Sequence, residues 1–280
     1  MPNIGAHVGG VSLDKIPFKA KELGVKAIQI FGASPRQWVA NMPPEKLIEG
    51  YKTNARACGI TDLYLHGAYL VNLGSPKDDL RQKSIQSLSD HLAIAEALGA
   101  RGLIFHLGSA KDMPKGDAIN HTVSGMKEVL KRTPGNSWLI MENSAGGGGK
   151  LGGNLEEVGE IFRKINSERV KFCYDTAHGF EAGTTLDYTP DSIKTLVQKI
   201  DQAIGIENLV VLHANDSKTA AGSYHDKHAN IGEGYVGLSG FKNLAKEKML
   251  RDLPWLLEVP GFDDIGPDKR NVEILKGCFF

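Results

Sequence analysis

The stretch KFCYDTAHGFEAG, residues 171–183, places a carboxylate, Asp175, at the end of an apolar run and an imidazole, His178, three residues later. Other apolar runs along the chain end in a similar side chain: LYLH at His66, LIFH at His106, LIME at Glu142, LVVLH at His213 and LPWLLE at Glu258. The strands of a parallel barrel end at one mouth, so side chains at their ends converge there. These runs therefore indicate barrel strands that share a metal-binding mouth.

Two further apolar segments, residues 4–9 and 27–31, complete a set of eight strands. The strands are too continuously apolar to face water, which indicates a parallel sheet buried on both sides. At 280 residues, a closed barrel fits better than an open doubly wound sheet. We therefore expect an α/β fold, a (β/α)8 TIM barrel in which residues 1–280 form a single catalytic domain.

Helical segments alternate with these strands. They cover residues 12–23, 44–58, 77–98, 118–131, 155–165, 189–204 and 238–246, and a last helix begins at about residue 268. Ser12 is the expected N-cap of the first helix, and Gly99 suits the left-handed position that follows the third. The glycine-rich segment AGGGGKLGGN, residues 145–154, is interpreted either as a flexible loop or as a backbone surface that comes close to a ligand.

Composition excludes several classes of protein. No apolar stretch approaches the roughly 20 residues that span a bilayer, and the N-terminus lacks a signal pattern, so we expect an intracellular, cytoplasmic protein without membrane contact. Three widely spaced cysteines offer neither a disulfide framework nor a C-x-x-C zinc site. Lys plus Arg and Asp plus Glu both total 33, so any attraction for nucleic acid must be local.

The candidate metal ligands outnumber what one ion requires. In YHDKHAN, one residue separates Asp226 from His228, so both side chains point to the same side of an extended loop. Together with His178 they make a His, His, Asp set with its fourth position open, as in catalytic zinc sites. The complete candidate set is His66, His106, Glu142, Asp175, His178, His213, Asp226, His228 and Glu258.

The size of this set favours three ions. If one carboxylate bridges, the ligands supply about ten bonds, which would nearly saturate two ions but leave positions on three ions free for water and substrate. Three Zn²⁺ would also outweigh the four carboxylates and attract a phosphodiester. The mixed nitrogen and oxygen ligands suit zinc, and Mn²⁺ or Fe²⁺ would fit some of the positions. His7, inside the first strand, is a candidate hydrogen-bond partner of a ligand.

Six segments carry a family resemblance over nearly the whole chain. They are LHGAYLVNLGSP, FHLGSA, MENSAGGG, CYDTAHGFEAG, LHANDSKTAAGSYHDKHANIGEGYVG and LLE. Together they resemble endonuclease IV, the family of abasic-site endonucleases with a trinuclear zinc barrel. The resemblance implies a DNA repair enzyme that acts in base excision repair. Such an enzyme hydrolyses the phosphodiester 5′ to an abasic site in double-stranded DNA, leaving a 3′-hydroxyl and a 5′-deoxyribose phosphate.

The resemblance also implies roles for individual residues. His66 and His106 would bind one zinc ion, and Glu142 would bridge it to a second ion. Catalysis would involve Glu142 and Glu258, either of which could orient the attacking water. The second ion would be held by Asp175, His213 and Glu258, the third by His178, Asp226 and His228, and the DNA contacts would come from Arg36, Gln37, Tyr69 and Asn72. A monomer is expected, associated with the nucleoid if the source is bacterial.

Two other functions remain open at this point. Sugar isomerases and epimerases of the same barrel type also place Glu, Asp and His at strand ends around one or two divalent ions. A one-metal isomerase has no need of Asp226 and His228, which favours the nuclease. The other alternative is a non-catalytic protein that binds damaged DNA or stores metal, and open coordination positions argue against storage.

Overall fold

The computed structural model describes residues 2–280 and shows a closed barrel of eight parallel strands. The predicted TIM barrel is therefore confirmed. Residues 2–280 contain ten strands, of which β8 and β9 lie outside the barrel. They are β1 (Asn3–His7), β2 (Ala27–Phe31), β3 (Asp62–His66), β4 (Gly102–His106), β5 (Trp138–Glu142), β6 (Val170–Asp175), β7 (Leu209–His213), β8 (Asp216–Ser217), β9 (His228–Ala229) and β10 (Pro254–Leu257). Around the barrel, the strand order is β1, β10, β7, β6, β5, β4, β3, β2.

The helices follow the strands in sequence. They are α1 (Ile16–Leu23), α2 (Glu45–Cys58), α3 (Asp78–Leu98), α4 (Lys115–Arg132), α5 (Leu155–Ile165), α6 (Thr176–Glu181), α7 (Pro190–Ile204), α8 (Gly237–Leu244), α9 (Lys248–Arg251) and α10 (Lys269–Lys276). Gly99 ends α3 with φ +72°, as predicted. No helix within residues 2–280 has the length and apolar character that crossing a membrane requires.

The prediction for the start of the first helix was wrong. A 3-10 turn covers Leu13–Lys15, and the α-helix begins only at Ile16. Pro17 lies in the first turn, where its missing N–H costs nothing, so the sequence favours a helix start at this point. Ser12 lies at the N-cap position of this 3-10 turn but makes no side-chain capping bond, because its hydroxyl donates instead to the Asp14 carboxylate, 2.7 Å away.

Strand register brings the polar strand ends to one level. His106 on β4 is the pairing partner of Glu142 on β5, and Asp175 on β6 is the partner of His213 on β7. Side chains of paired residues on neighbouring strands lie side by side. The carboxyl ends of these strands therefore form a ring of imidazoles and carboxylates.

A layer of apolar side chains, which differ widely in size, fills the barrel interior. It combines small Ala27 and Cys173 with bulky Tyr64. The barrel is therefore a packed core that supports the ring of polar strand ends. The layer comprises Ala27, Tyr64, Ile104, Ile140, Cys173, Val211 and Leu256.

Between β7 and α8 the chain makes a long excursion. The two short antiparallel strands β8 and β9 close its base. The Asp216 carboxylate accepts backbone N–H bonds from Gly232, Gly234, Val236 and Gly237, which fixes the returning chain. The excursion is thereby folded back over the barrel mouth.

Candidate metal centre

The nine predicted ligands lie around one space at the barrel mouth. In three groups, the donor atoms all lie within 4.8 Å of one another. The groups share Glu142 and Asp175, so they form one continuous cluster of ligands. They are His66, His106 and Glu142; Glu142, Asp175, His213 and Glu258; and Asp175, His178 and His228.

Glu142 lies at the centre and is fully buried. Its Oε2 atom is 3.2 Å from Nε2 of His66 and 3.6 Å from Nδ1 of His106. Its Oε1 atom is 3.0 Å from Nδ1 of His213 and 3.2 Å from Nδ1 of His178. Burial alone would raise the pKa of Glu142, but the His106 and His213 side chains hold it well below its usual range. The two oxygens of one carboxylate thus face different sets of histidines, as a bridging ligand requires.

Asp226 joins the cluster from the long excursion. Its Oδ1 atom lies 3.3 Å from Nε2 of His178 and 3.9 Å from Nε2 of His228. Burial would raise the pKa of Asp226, but the hydrogen bond from His178 and the charge of His228 lower it far below its usual range. Almost half of the Asp226 side chain is exposed, whereas His178 is buried. Asp226 therefore closes the cluster on its solvent side.

One buried nitrogen tests whether these residues fit a metal. Nε2 of His228 is buried and has no hydrogen-bond partner, yet it faces Oδ2 of Asp175 at 3.8 Å and Oδ1 of Asp226 at 3.9 Å. These distances are too long for hydrogen bonds. They suit ligands around a shared ion, because two atoms about 2.1 Å from a tetrahedral zinc lie about 3.4 Å apart. The residues therefore fit a transition-metal centre with nitrogen and oxygen ligands.

Gln29 is a residue of the site that the sequence analysis missed. It is fully buried, and its Oε1 accepts a hydrogen bond from Nε2 of His213 at 2.8 Å. Its amide nitrogen donates to Glu258 Oε1 at 2.5 Å and lies 3.0 Å from Nδ1 of His7. Burial lowers the pKa of His7 to about 4, which keeps this imidazole neutral. The available signal was a polar residue inside the apolar strand AIQIF.

Two asparagines that follow ligand-bearing strands were also missed. Asn143 accepts from the Asp175 backbone N–H at 2.7 Å, and its own carbonyl accepts from Nδ1 of His178 at 3.0 Å. Asn215 donates to Asp175 Oδ2 at 2.7 Å and accepts from the Glu258 backbone N–H at 2.8 Å. Such partners orient metal ligands and fix which imidazole nitrogen is free. Their position directly after a strand end was the only signal in the sequence.

The predicted DNA-contacting residues divide into two kinds. Arg36 and Gln37 are exposed on the loop after β2, and the Tyr69 backbone N–H donates to Pro35 on that loop at 3.0 Å. The Tyr69 side chain is 61% exposed. Asn72, by contrast, is buried, and its amide group pairs with both the backbone N–H and the carbonyl of Ser109, at 2.9 and 3.0 Å. Asn72 therefore joins two loops at the rim.

A cavity of about 740 Å³ opens over the ligand cluster. Its walls combine four of the ligands' imidazoles with two of their carboxylates and with the Tyr69 ring. A cavity of this volume can hold a small organic group and is larger than a lone ion requires. The aromatic, imidazole and carboxylate wall residues are His66, Tyr69, His106, His178, Asp226, His228 and Glu258.

The glycine-rich loop after β5 is tied to the loop after β4. Gly149 accepts from the Ala110 backbone N–H, and the Leu151 N–H donates to the Gly108 carbonyl, both at 2.9 Å. Gly146, Gly147, Gly148 and Gly149 all have φ between +54° and +77°, a region that favours glycine. The backbone conformation thus accounts for these glycines.

Comparisons with known proteins identify the family of this chain. The family described as xylose isomerase-like TIM barrel matches residues 18–277. A protein from Thermotoga maritima called probable endonuclease 4 is 34% identical over 265 residues, 93% of this chain and 92% of its own length. The crystal structure of endonuclease IV from Thermus thermophilus is 29% identical, with a TM-score of 0.87 over 99% of this chain and 98% of that one.

Sugar epimerases share the barrel at a greater distance. The crystal structure of a D-tagatose 3-epimerase-like protein is 20% identical, with a TM-score of 0.74 over 99% of this chain and 97% of that one. Identity at this level shows a common fold and nothing about a common reaction.

Proposed function

Because this chain belongs to the endonuclease IV family of xylose isomerase-like TIM barrels, we propose that it is a DNA repair endonuclease specific for abasic sites. It hydrolyses the phosphodiester on the 5′ side of an abasic nucleotide in duplex DNA. The products are a 3′-hydroxyl and a 5′-deoxyribose phosphate. We propose that it works as a monomer inside the cell.

The observation that carries this proposal is the third ligand group. An isomerase with one or two ions has no use for a third set of donors. Here Asp226 lies 3.3 Å from His178, and the unpartnered Nε2 of His228 lies 3.8 Å from Asp175 and 3.9 Å from Asp226. This surplus suits a phosphodiester, whose anionic oxygens need more positive charge than a sugar hydroxyl does.

The proposed metal assignment uses all nine ligands. His66, His106 and Glu142 hold the first ion, and His178, Asp226 and His228 hold the third. Glu142, together with Asp175, His213 and Glu258, would also hold the second ion. When bound, zinc ions supply an acidified water at neutral pH and neutralise charge on the phosphate.

The chain's own residues orient the reacting groups. Glu258 is held on one side by the amide of Gln29 and on the other by Asn215, which donates to its Oε2 at 3.5 Å. This carboxylate, only 17% exposed, is placed to accept a hydrogen bond from the attacking water. Glu142, buried among histidines, keeps the two ligand groups at a fixed separation.

Selection of abasic sites follows from the shape of the mouth. Flipping a nucleotide that lacks its base forfeits little stacking, whereas a normal nucleotide costs a few kcal/mol. Tyr69 stands at the cavity edge with its ring 5.5 Å from Phe31 and 6.0 Å from His66. We propose that Arg36 and Tyr69 enter the duplex and stabilise the flipped-out nucleotide, and that Gln37 contacts the DNA beside them. Asn72 contributes by shaping the loop.

A nicking assay tests the function directly. The purified protein is stripped with a chelator, reloaded with zinc, and given duplexes with one tetrahydrofuran abasic analogue or an intact nucleotide. We expect cleavage 5′ to the analogue only, only in the zinc-loaded protein, with about three zinc ions per chain. Cleavage that survives full metal removal, or ketose isomerisation without nicking, would refute the proposal.

A further inference from the structure

The glutamate that ends α6, Glu181, has no part in the ligand set described above. It is fully buried, and its Oε2 atom has no hydrogen-bond partner. A buried carboxyl is costly unless its contacts compensate. All of its side-chain hydrogen bonds instead converge on the other oxygen, Oε1, which calls for a structural reason.

Oε1 of Glu181 holds both ends of one loop. It accepts from the Ser217 hydroxyl at 2.7 Å, where the loop leaves β8, and from the Lys227 backbone N–H at 3.1 Å, where the loop returns. Thr219 adds a third, longer contact at 3.4 Å. Lys227 is the residue between Asp226 and His228, so Glu181 fixes the backbone at the midpoint of that ligand pair.

Two backbone hydrogen bonds at the end of α6 also hold this loop. The Glu181 carbonyl accepts from the Tyr224 N–H, and the Phe180 carbonyl accepts from the Gly222 N–H, both at 3.0 Å. The same short helix carries His178 three residues before Glu181. One helix therefore presents one ligand directly and holds the loop that carries the two others.

We infer that Glu181 is the positioning residue for the third metal position. It fixes loop 217–228 to α6, so that Asp226 and His228 meet His178 at ligand distance. Without this contact, the backbone bonds at Gly222 and Tyr224 still hold the start of the loop, but the segment that carries the half-exposed Asp226 loses its side-chain anchor on α6. The inference rests on the proposed function, because that proposal places a metal between these three side chains.

The test compares metal binding with local backbone protection. Glu181→Ala should weaken the most weakly held zinc by about 10–100-fold, the range for lost partners of metal ligands. In the metal-free protein, the Lys227 amide should exchange with solvent about tenfold faster, while amides of β4 and β5 are unchanged. Glu181→Gln, which retains an accepting oxygen, should recover most of the zinc affinity.

Glu96 offers a matched control at the opposite end of the barrel. Its Oε2 accepts from the backbone N–H groups of Asn136 and Ser137 at 2.9 and 2.7 Å, just before β5 begins. Glu96→Ala also removes a glutamate that holds a loop. It should lower the melting temperature and leave zinc binding and Lys227 exchange unchanged.

Other results of these measurements would overturn either the inference about Glu181 or the proposed function. Equal zinc affinity and equal Lys227 exchange in Glu181→Ala and the wild type would overturn the inference. If Glu181→Ala does not fold, Glu181→Asp is tested instead, because it shortens the side chain by one methylene and keeps the charge. Wild-type zinc affinity in Glu181→Asp would also overturn the inference. A wild type that binds fewer than three ions would instead refute the proposed function, and exchange at Lys227 would still test the role of Glu181.

Discussion

Nε2 of His213 lies 2.8 Å from Oε1 of Gln29, although 184 positions separate the two residues in the chain. Glutamine oxygen is an acceptor only, so His213 carries its proton on Nε2. Its Nδ1 faces Glu142 at 3.0 Å and Glu258 at 3.1 Å and is the nitrogen that remains to bind a metal. A buried amide outside the ligand set thus determines which imidazole nitrogen is offered to a metal.

The first prediction concerns this amide. Gln29→Leu should weaken zinc binding by about 10–100-fold, because His213 loses the acceptor that fixes its tautomer and Glu258 loses a donor. Competition against a chelating dye measures the affinity. Gln202→Leu, on the exposed face of α7, serves as the control. Equal affinity of Gln29→Leu and the wild type would remove Gln29 from the site.

The second prediction separates catalysis from metal binding at Glu258. Glu258→Gln keeps the shape of the side chain but removes its charge, so single-turnover cleavage should slow by about 100-fold or more. Elemental analysis of the same sample should show whether zinc is lost in parallel. Unchanged cleavage would exclude Glu258 from the reaction.

Metal removal should destabilise the fold. Glu142, Asp175 and Glu258 converge at the mouth, and without cations their negative charges face histidines and the neutral amides of Gln29 and Asn215. Zinc at 100 times its dissociation constant should raise the free energy of unfolding by about 2.7 kcal/mol for one site. Thermal melting over a zinc titration measures this gain. A melting temperature that does not respond to zinc would contradict binding to the folded state.

Tyr69 should contribute to DNA affinity and not to metal binding. Tyr69→Ala should weaken binding to an abasic duplex by about tenfold or more, the range for loss of one aromatic stacking contact. Tyr235 is 65% exposed, close to the 61% of Tyr69, but does not line the cavity. Tyr235→Ala is therefore the matched control in fluorescence anisotropy. Loss of zinc from Tyr69→Ala would show that this loop serves the metal centre instead.

A pH dependence is expected at the other end of the barrel. Burial would raise the pKa of Asp62, but hydrogen bonds from Asn3, Thr61 and Arg101 lower it below its usual value. The folded state therefore binds the Asp62 proton less tightly than the unfolded state. The resulting stability is present above the unfolded pKa, near 3.9, and is lost as the pH falls through the folded pKa.

Asp62→Asn should accordingly cost about 1 kcal/mol at pH 7, a modest value because the partner Arg101 is 55% exposed. Urea unfolding of both metal-free proteins between pH 7 and pH 3 measures the difference. The difference in unfolding free energy between the two proteins should become smaller below about pH 4. A constant difference in unfolding free energy from pH 7 to pH 3 would mean that the charge of the Asp62 carboxylate does not cause it.

The convergence of His, Asp and Glu side chains at the barrel mouth could be predicted because it depends on local pattern. An apolar run that ends in His, Glu or Asp marks both the strand and the residue at its end, and neighbouring parallel strands end on the same side. His106 and Glu142, paired on adjacent strands, show the outcome. Helix starts were less accurate, since Pro17 and the Ser12–Asp14 hydrogen bond displaced the first one.

The sequence by itself determined the barrel and the side chains at its strand ends, because strand periodicity and chain direction are written in consecutive residues. Only the tertiary structure decided the partners of those side chains: Gln29 beside His213, Asn215 between Asp175 and Glu258, and Glu181 beneath Lys227. Such contacts depend on barrel closure and register, which bring together residues tens to hundreds of positions apart. No local pattern of residues encodes that proximity.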